Sequence, residues 1–124
     1  TWELAQLYEI TDSALIHNMK VNAGLRPRGL CWHWAEDMEA RMRSEGFWTL
    51  DLHRAIANAD NPYLLEHSTT IISARGDGYL DGIILDPWRK GGILFWSKTR
   101  ADEDFAWDPR HEVHARKREL AATR

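Results

Sequence analysis

Along the first third of the chain, apolar and small residues recur every three or four positions. Leu4, Leu7, Tyr8, Thr11, Ala14, Leu15, Asn18, Met19 and Asn22 fall on one helical face, and Gly24 and Pro27 then stop the helix. A second helical pattern runs from Cys31 to Ser44. Cys31, Trp34, Ala35, Met38 and Met42 line its inner side, Glu36, Asp37, Glu39, Arg41 and Arg43 fall mostly on the other, and Gly46 ends it. After Gly46 the period becomes two, with Trp48, Leu50 and Leu52 alternating with Thr49, Asp51 and His53, the pattern of a strand. Residues 55–65, with Asn58, Asp60, Asn61 and Pro62, read as a connection. Residues 67–74 are rich in β-branched types and predict a strand. Residues 75–82 carry turn chemistry, Gly82 to Asp86 completes a second strand of that sheet, and residues 91–98 predict a third. The charged tail from Asp108 onward predicts a helix with a frayed end. Helices followed by an antiparallel sheet make an α+β chain, read as one domain over residues 1–124.

Composition narrows the function classes. With 124 residues, 44% of them hydrophobic and 28% charged, and only four prolines and eight glycines, the chain is neither disordered nor collagen-like. No apolar run approaches the roughly 18 residues of a membrane span. A net charge of −3 argues against a nucleic-acid partner. One cysteine excludes an internal disulfide and any multi-cysteine metal site, so neither a metal nor another cofactor is expected. Seven tryptophans point to aromatic walls or a tryptophan-rich core. The chain opens on Thr1 rather than Met, as expected if an export signal has been removed.

The cysteine sits where a loop, Arg28-Gly29-Leu30, enters the second helix. A thiol in a first helical turn meets unpaired backbone N–H groups and the positive end of the helix dipole, which favour a thiolate. The same groups can stabilise the oxyanion formed when it attacks a carbonyl. The other reading of Cys31 is a buried structural cysteine. Of the six histidines, His33 points away from Cys31 on the helix, and His111 and His114 lie in the charged tail. His17 lies beside the inner face of the first helix, and His53 is on the solvent side of its strand. His67 differs. For a symmetric hairpin centred between Gly76 and Asp77, His67 and Asp86 are directly opposed on one face, with Cβ atoms roughly 5 Å apart. A carboxylate there accepts from one imidazole nitrogen and leaves the other for the thiol. A polar pair at the sheet edge is the competing reading.

Cys31 in GLCWHW, His67 opening EHSTTIISA and Asp86 ending GIILDPW resemble the transglutaminase-like branch of the papain-like cysteine enzymes, in its small bacterial form. The resemblance spans roughly residues 24–98. It implies a papain-like fold with the nucleophile at a helix start packed on an antiparallel sheet. It further implies a cysteine-dependent amide hydrolase or acyl transferase, acting as peptidase, transglutaminase or deamidase. Cys31 is then nucleophile, His67 base and acid, and Asp86 the orienting carboxylate, with a protein or peptide amide as substrate and a periplasmic or envelope location. The chain departs from the papain pattern at Leu25, where those proteases carry a glutamine that donates to the oxyanion. Asn18 and Asn22 are the candidate replacements, or else cap neighbouring backbone. Trp32 and Trp88 adjoin the triad positions and are candidate walls of the acyl groove, against ordinary core packing, the reading also given to Trp34, Trp48 and Trp96. The alternative function is a non-catalytic envelope binding module of the same fold, and a third is a histidine metal-binding protein. Arg75-Gly76-Asp77 spells an adhesion tripeptide but reads as a hairpin turn, and His111 and His114 lack partners for a tetrahedral metal site.

Overall fold

In a computed structural model, which describes residues 1–123, four helices accompany a five-stranded antiparallel sheet. In chain order these are α1 (Trp2–Leu7), α2 (Ala14–Asn22), α3 (Cys31–Ser44), β1 (Leu50–Ala57), β2 (His67–Ala74), β3 (Ile83–Asp86), β4 (Phe95–Lys98), β5 (Trp107–Pro109) and α4 (Arg110–Ala122). The sheet order is β4-β3-β2-β1-β5. The end of the tail expected to fray includes Arg124, outside the described residues.

The helical first third is two helices, not one. Glu9 takes a left-handed φ of 57°, and the Ile10 N–H turns back to the Ala5 carbonyl, closing α1. Thr11, Asp12 and Ser13 then lead into α2. Leu4 and Tyr8 are buried as expected, whereas Leu7, Leu15 and Met19 are exposed and His17 is the buried residue of α2. The break rotates α2 relative to the predicted stripe. By contrast, α3 begins and ends as its periodicity predicts, and Trp34, Ala35 and Met38 are buried.

The strand β1 extends to Ala57, through residues expected to be a connection. It is paired on both edges, by β2 and by β5, so its last three residues are a continuous buried run without alternation. The strand predicted over 91–98 narrows to β4, because Gly91 and Gly92 take positive φ values in a turn. Thr70 donates its hydroxyl to the Ala35 carbonyl of α3 at 2.6 Å, which identifies the sheet face beneath that helix. Ile72 and Leu85 share that face and pack with Leu4, Tyr8, Trp34 and Met38. Ala55, Ala57, Ile71 and Ile84 lie on the opposite face with Trp107 and Phe105. Trp34 is therefore core, while Trp48 and Trp96 are exposed.

Candidate active site

The loop that delivers Cys31 is clamped from three directions. The His17 Nε2–H donates to the Arg28 carbonyl at 2.8 Å. The Arg28 guanidinium makes two hydrogen bonds to Asp37, at 3.1 and 3.2 Å, and Asp37 also accepts from the Tyr8 hydroxyl. The backbone N–H groups of Gly29 and Leu30 both donate to His33 Nδ1 at 3.1 Å. Burial, and then the nearby Arg28 charge, hold His33 below its usual value and so keep Nδ1 an acceptor. Gly29 itself has φ +128°, and a Cβ there would lie 2.4 Å from His17 Nε2. Only glycine fits both demands.

Cys31 is half-buried at the first position of α3, and its thiol donates to the Glu66 carbonyl at 3.8 Å. The next residue is His67, the first of β2. It is 2% exposed, and its Nε2–H donates to Asp86 Oδ2 at 2.7 Å. The sequence expectation of direct opposition is corrected by the register. Thr70 pairs with Leu85 and Ile72 with Ile83, which puts Thr69, not His67, opposite Asp86. A helical turn over Tyr79–Asp81 lengthens the connection, and Gly82 packs against the Ile72 carbonyl more closely than a Cβ would allow. The slip is two residues, so His67 and Asp86 stay on one face as diagonal neighbours within side-chain reach.

Asp86 is held on every side. Its Oδ1 accepts the backbone N–H groups of Trp88 and Arg89, both at 3.1 Å, while Oδ2 takes His67 and, at 3.0 Å, Arg89 Nε. Burial opposes its charge, but His67 and Arg89 outweigh this and keep the carboxyl below its usual range. Arg89 also grips Asp102, with NH1 on Oδ1 at 3.0 Å and NH2 on Oδ2 at 2.9 Å, and Asp102 accepts the Trp107 indole N–H at 2.9 Å. For His67, burial likewise opposes the charged ring. The Asp86 hydrogen bond and the neighbouring Cys31 thiol prevail, pushing it up to about 9. Trp88, Phe105 and Trp107 surround the imidazole, with ring centroids 4.7, 4.6 and 5.4 Å away. His67 Nδ1 is buried and has no hydrogen-bond partner among the described residues.

The remaining candidates separate. Asn18 accepts the Trp88 indole N–H on Oδ1 at 2.9 Å, and because an indole only donates, the Asn18 amide N–H groups are not used in that bond and have no other partner among the described residues. Asn22 is exposed at the end of α2 and makes no side-chain hydrogen bond among the described residues. Trp32 is half-exposed and lines a groove of about 430 Å³ with Cys31; Trp88 is not among its walls. His53 is half-buried on the Ser73 hydroxyl, 2.8 Å away, not on the solvent side. His111 is exposed, and His114 lines the same groove as Cys31. Among the described residues, no group of three or more His, Cys, Asp or Glu side chains is arranged to hold a metal, and no helix is long and apolar enough to cross a membrane. Sequence reasoning missed Arg89 and Asp102. The i, i+3 spacing of Asp86 and Arg89 across Pro87 was the one local signal for that network. The chain matches no protein-family model, curated protein or solved structure, so the chemistry of the site rests on its own geometry.

Proposed function

We propose that this chain is a cysteine-dependent amide hydrolase or acyl transferase of the transglutaminase-like, papain-like kind. The observation that carries the reading is the division of the His67 ring. Nε2 is committed to Asp86, whereas buried Nδ1 has no hydrogen-bond partner among the described residues, and the Cys31 thiol stands on the carbonyl of Glu66, the residue just before His67. A buried polar atom without a partner is costly, and the nucleophile is the group at hand to serve it.

In this mechanism the Cys31 sulfur, having given its proton to His67, attacks the amide carbonyl carbon. The C–S bond forms as the carbonyl pair moves to oxygen, and the N–H groups at the start of α3 face that oxyanion. The free amide of Asn18 is a second donor candidate. Collapse breaks the C–N bond, the departing amine takes the proton from Nδ1, and a thioester remains. Water or an acceptor amine then gives a proton to Nδ1 and attacks the thioester, which restores the thiol and releases acid or new amide. Asp86 holds the tautomer throughout.

The test is alkylation by iodoacetamide at pH 7. Cys31 is expected to react about fivefold or more faster than free cysteine, and His67→Ala and His67→Gln both to remove the advantage. Cys31→Ala should take up no label and keep its unfolding free energy, from urea melts, within about 1 kcal/mol of wild type. A thiol as slow as free cysteine, or one indifferent to His67, overturns the proposal in favour of a binding module.

A further inference from the structure

The groove at Cys31 has an unusual charge arrangement. Arg54 lies on β1 opposite Thr70, on the face beneath α3, and lines the groove with Cys31, Trp32 and Arg110. Its side chain is 11% exposed, yet it makes no hydrogen bond to any described group, and its Nε is enclosed without a partner. The nearest carboxylate is Glu39 at 3.7 Å, which also faces Arg43 at 3.6 Å. Arg110, at the start of α4, has no carboxylate within ion-pair distance among the described residues. The acids on the groove do not supply one. Glu66 is held by Lys117 at 2.6 Å, and Glu36 lies 3.6 Å from Arg28. The remaining titratable wall is His114, held below its usual value by burial and then by Arg110.

From this we infer that Arg54 and Arg110 form an anion subsite beside the nucleophile, so that the amides this chain acts on carry a carboxylate next to the bond attacked by Cys31. The inference rests on the reading of Cys31 as nucleophile. Two guanidinium groups facing one groove repel each other, and one of them is largely buried with its Nε unpartnered and its nearest carboxylate, Glu39, at 3.7 Å, beyond hydrogen-bond length, an arrangement that an anion in the groove would complete. After burial, Arg110 is the main influence lowering the proton affinity of Arg54, and Glu39 and Glu36 offset the two only in part. A planar fork of N–H donors matches a carboxylate, which it can grip with two parallel bonds. Trp32 and Ile56 give the same groove apolar wall for the rest of the acyl group.

The experiment compares reagents that differ only in a carboxylate. Cys31 is alkylated in the intact chain with iodoacetate and iodoacetamide, and separately with 3-maleimidopropionic acid and N-ethylmaleimide, which reach further from sulfur. The anionic-to-neutral rate ratio should exceed that of free cysteine about fivefold, as one unit charge a few ångströms away gives at a wet surface, and should fall as salt is raised. Arg110→Gln, a surface change, and Arg54→Gln should each pull the ratio toward the free-cysteine value, the neutral rate in each variant correcting for any change in the thiolate itself. Arg100→Gln, which makes the same charge change outside the groove, should leave the ratio alone. If the neutral reagents react fast and depend on His67 while the ratio equals that of free cysteine or ignores both arginines, the subsite is refuted and the catalytic pair stands. An Arg100→Gln effect as large as that of Arg110→Gln also refutes it. If neutral and anionic reagents are both slow, the catalytic reading itself fails.

Discussion

Replacing Arg89 by methionine removes a cation that two buried carboxylates share. The side chain is 11% exposed, and the carboxylates it holds, Asp86 and Asp102, are each 1% exposed. Asp86 retains His67 and two backbone N–H groups in the variant, but Asp102 loses both of its guanidinium bonds and keeps the Trp107 indole and the Asp104 N–H. The contact with Asp104 adds little, because that residue is 68% exposed. Breaking a buried pair by deleting one partner costs about 3–5 kcal/mol, a large share of the ~5–15 kcal/mol that holds a domain folded. Methionine keeps part of the packing on Phe95, whose ring lies 4.0 Å from the guanidinium carbon, so the loss is electrostatic in the main. At about 4 °C per kcal/mol for a chain of this length, the melting temperature should fall by roughly 12–20 °C. The pH profile then distinguishes charge from packing. Asp86 and Asp102 both have carboxyls held below their usual value in the fold, so their contribution is present above the unfolded value near 3.8 and is lost as pH falls through the lower folded values. In the variant, protonation relieves the unpaired charge, so the gap from wild type should narrow as the pH drops toward about 4. Urea melts at several pH values measure it. A loss below about 1 kcal/mol, or a gap that stays constant with pH, would refute the network as an electrostatic unit.

Two further outcomes follow from the same geometry. Gly29→Ala must place a Cβ 2.4 Å from His17 Nε2 at φ +128°, so urea melts should show a loss of about 3 kcal/mol or more; Gly24→Ala, at φ +79° with nothing within 4 Å, should cost only about 1–2 kcal/mol. Equal losses at the two positions would mean that the His17 clamp is loose. His67, raised from 6.5 to about 9, binds its proton more tightly in the folded chain, so its contribution is complete below pH 6.5 and is lost as pH rises through about 9. Wild type should lose stability across that window by an amount on the order of 3 kcal/mol, and His67→Gln should flatten the profile; a parallel profile in the variant would assign the loss to other groups.

Much of this site is legible from local pattern. The 3.6-residue period places Cys31 on the inner face of α3, and the two-residue period of the strands places His67 and Asp86 on one face. The hairpin centre was misplaced, and the pair survived because a two-residue slip preserves the face while a one-residue slip would have reversed it. The break at Glu9 was less legible, since its left-handed backbone is set by where Tyr8 and Ile10 pack as well as by the polar run that follows. The chain by itself therefore determined α3 and its inward face, the strands β2 and β3, and the order Cys, His, Asp, because these follow from periodicity and steric preference within a few residues. Only the tertiary structure decided that Arg89 joins Asp86 to Asp102, that His17 and His33 clamp the loop before Cys31, and that Arg54 lines the groove with its Nε unpartnered. Those groups come from separate elements, and whether a buried charge finds a partner depends on distances of a few ångströms that the packing of the elements alone creates.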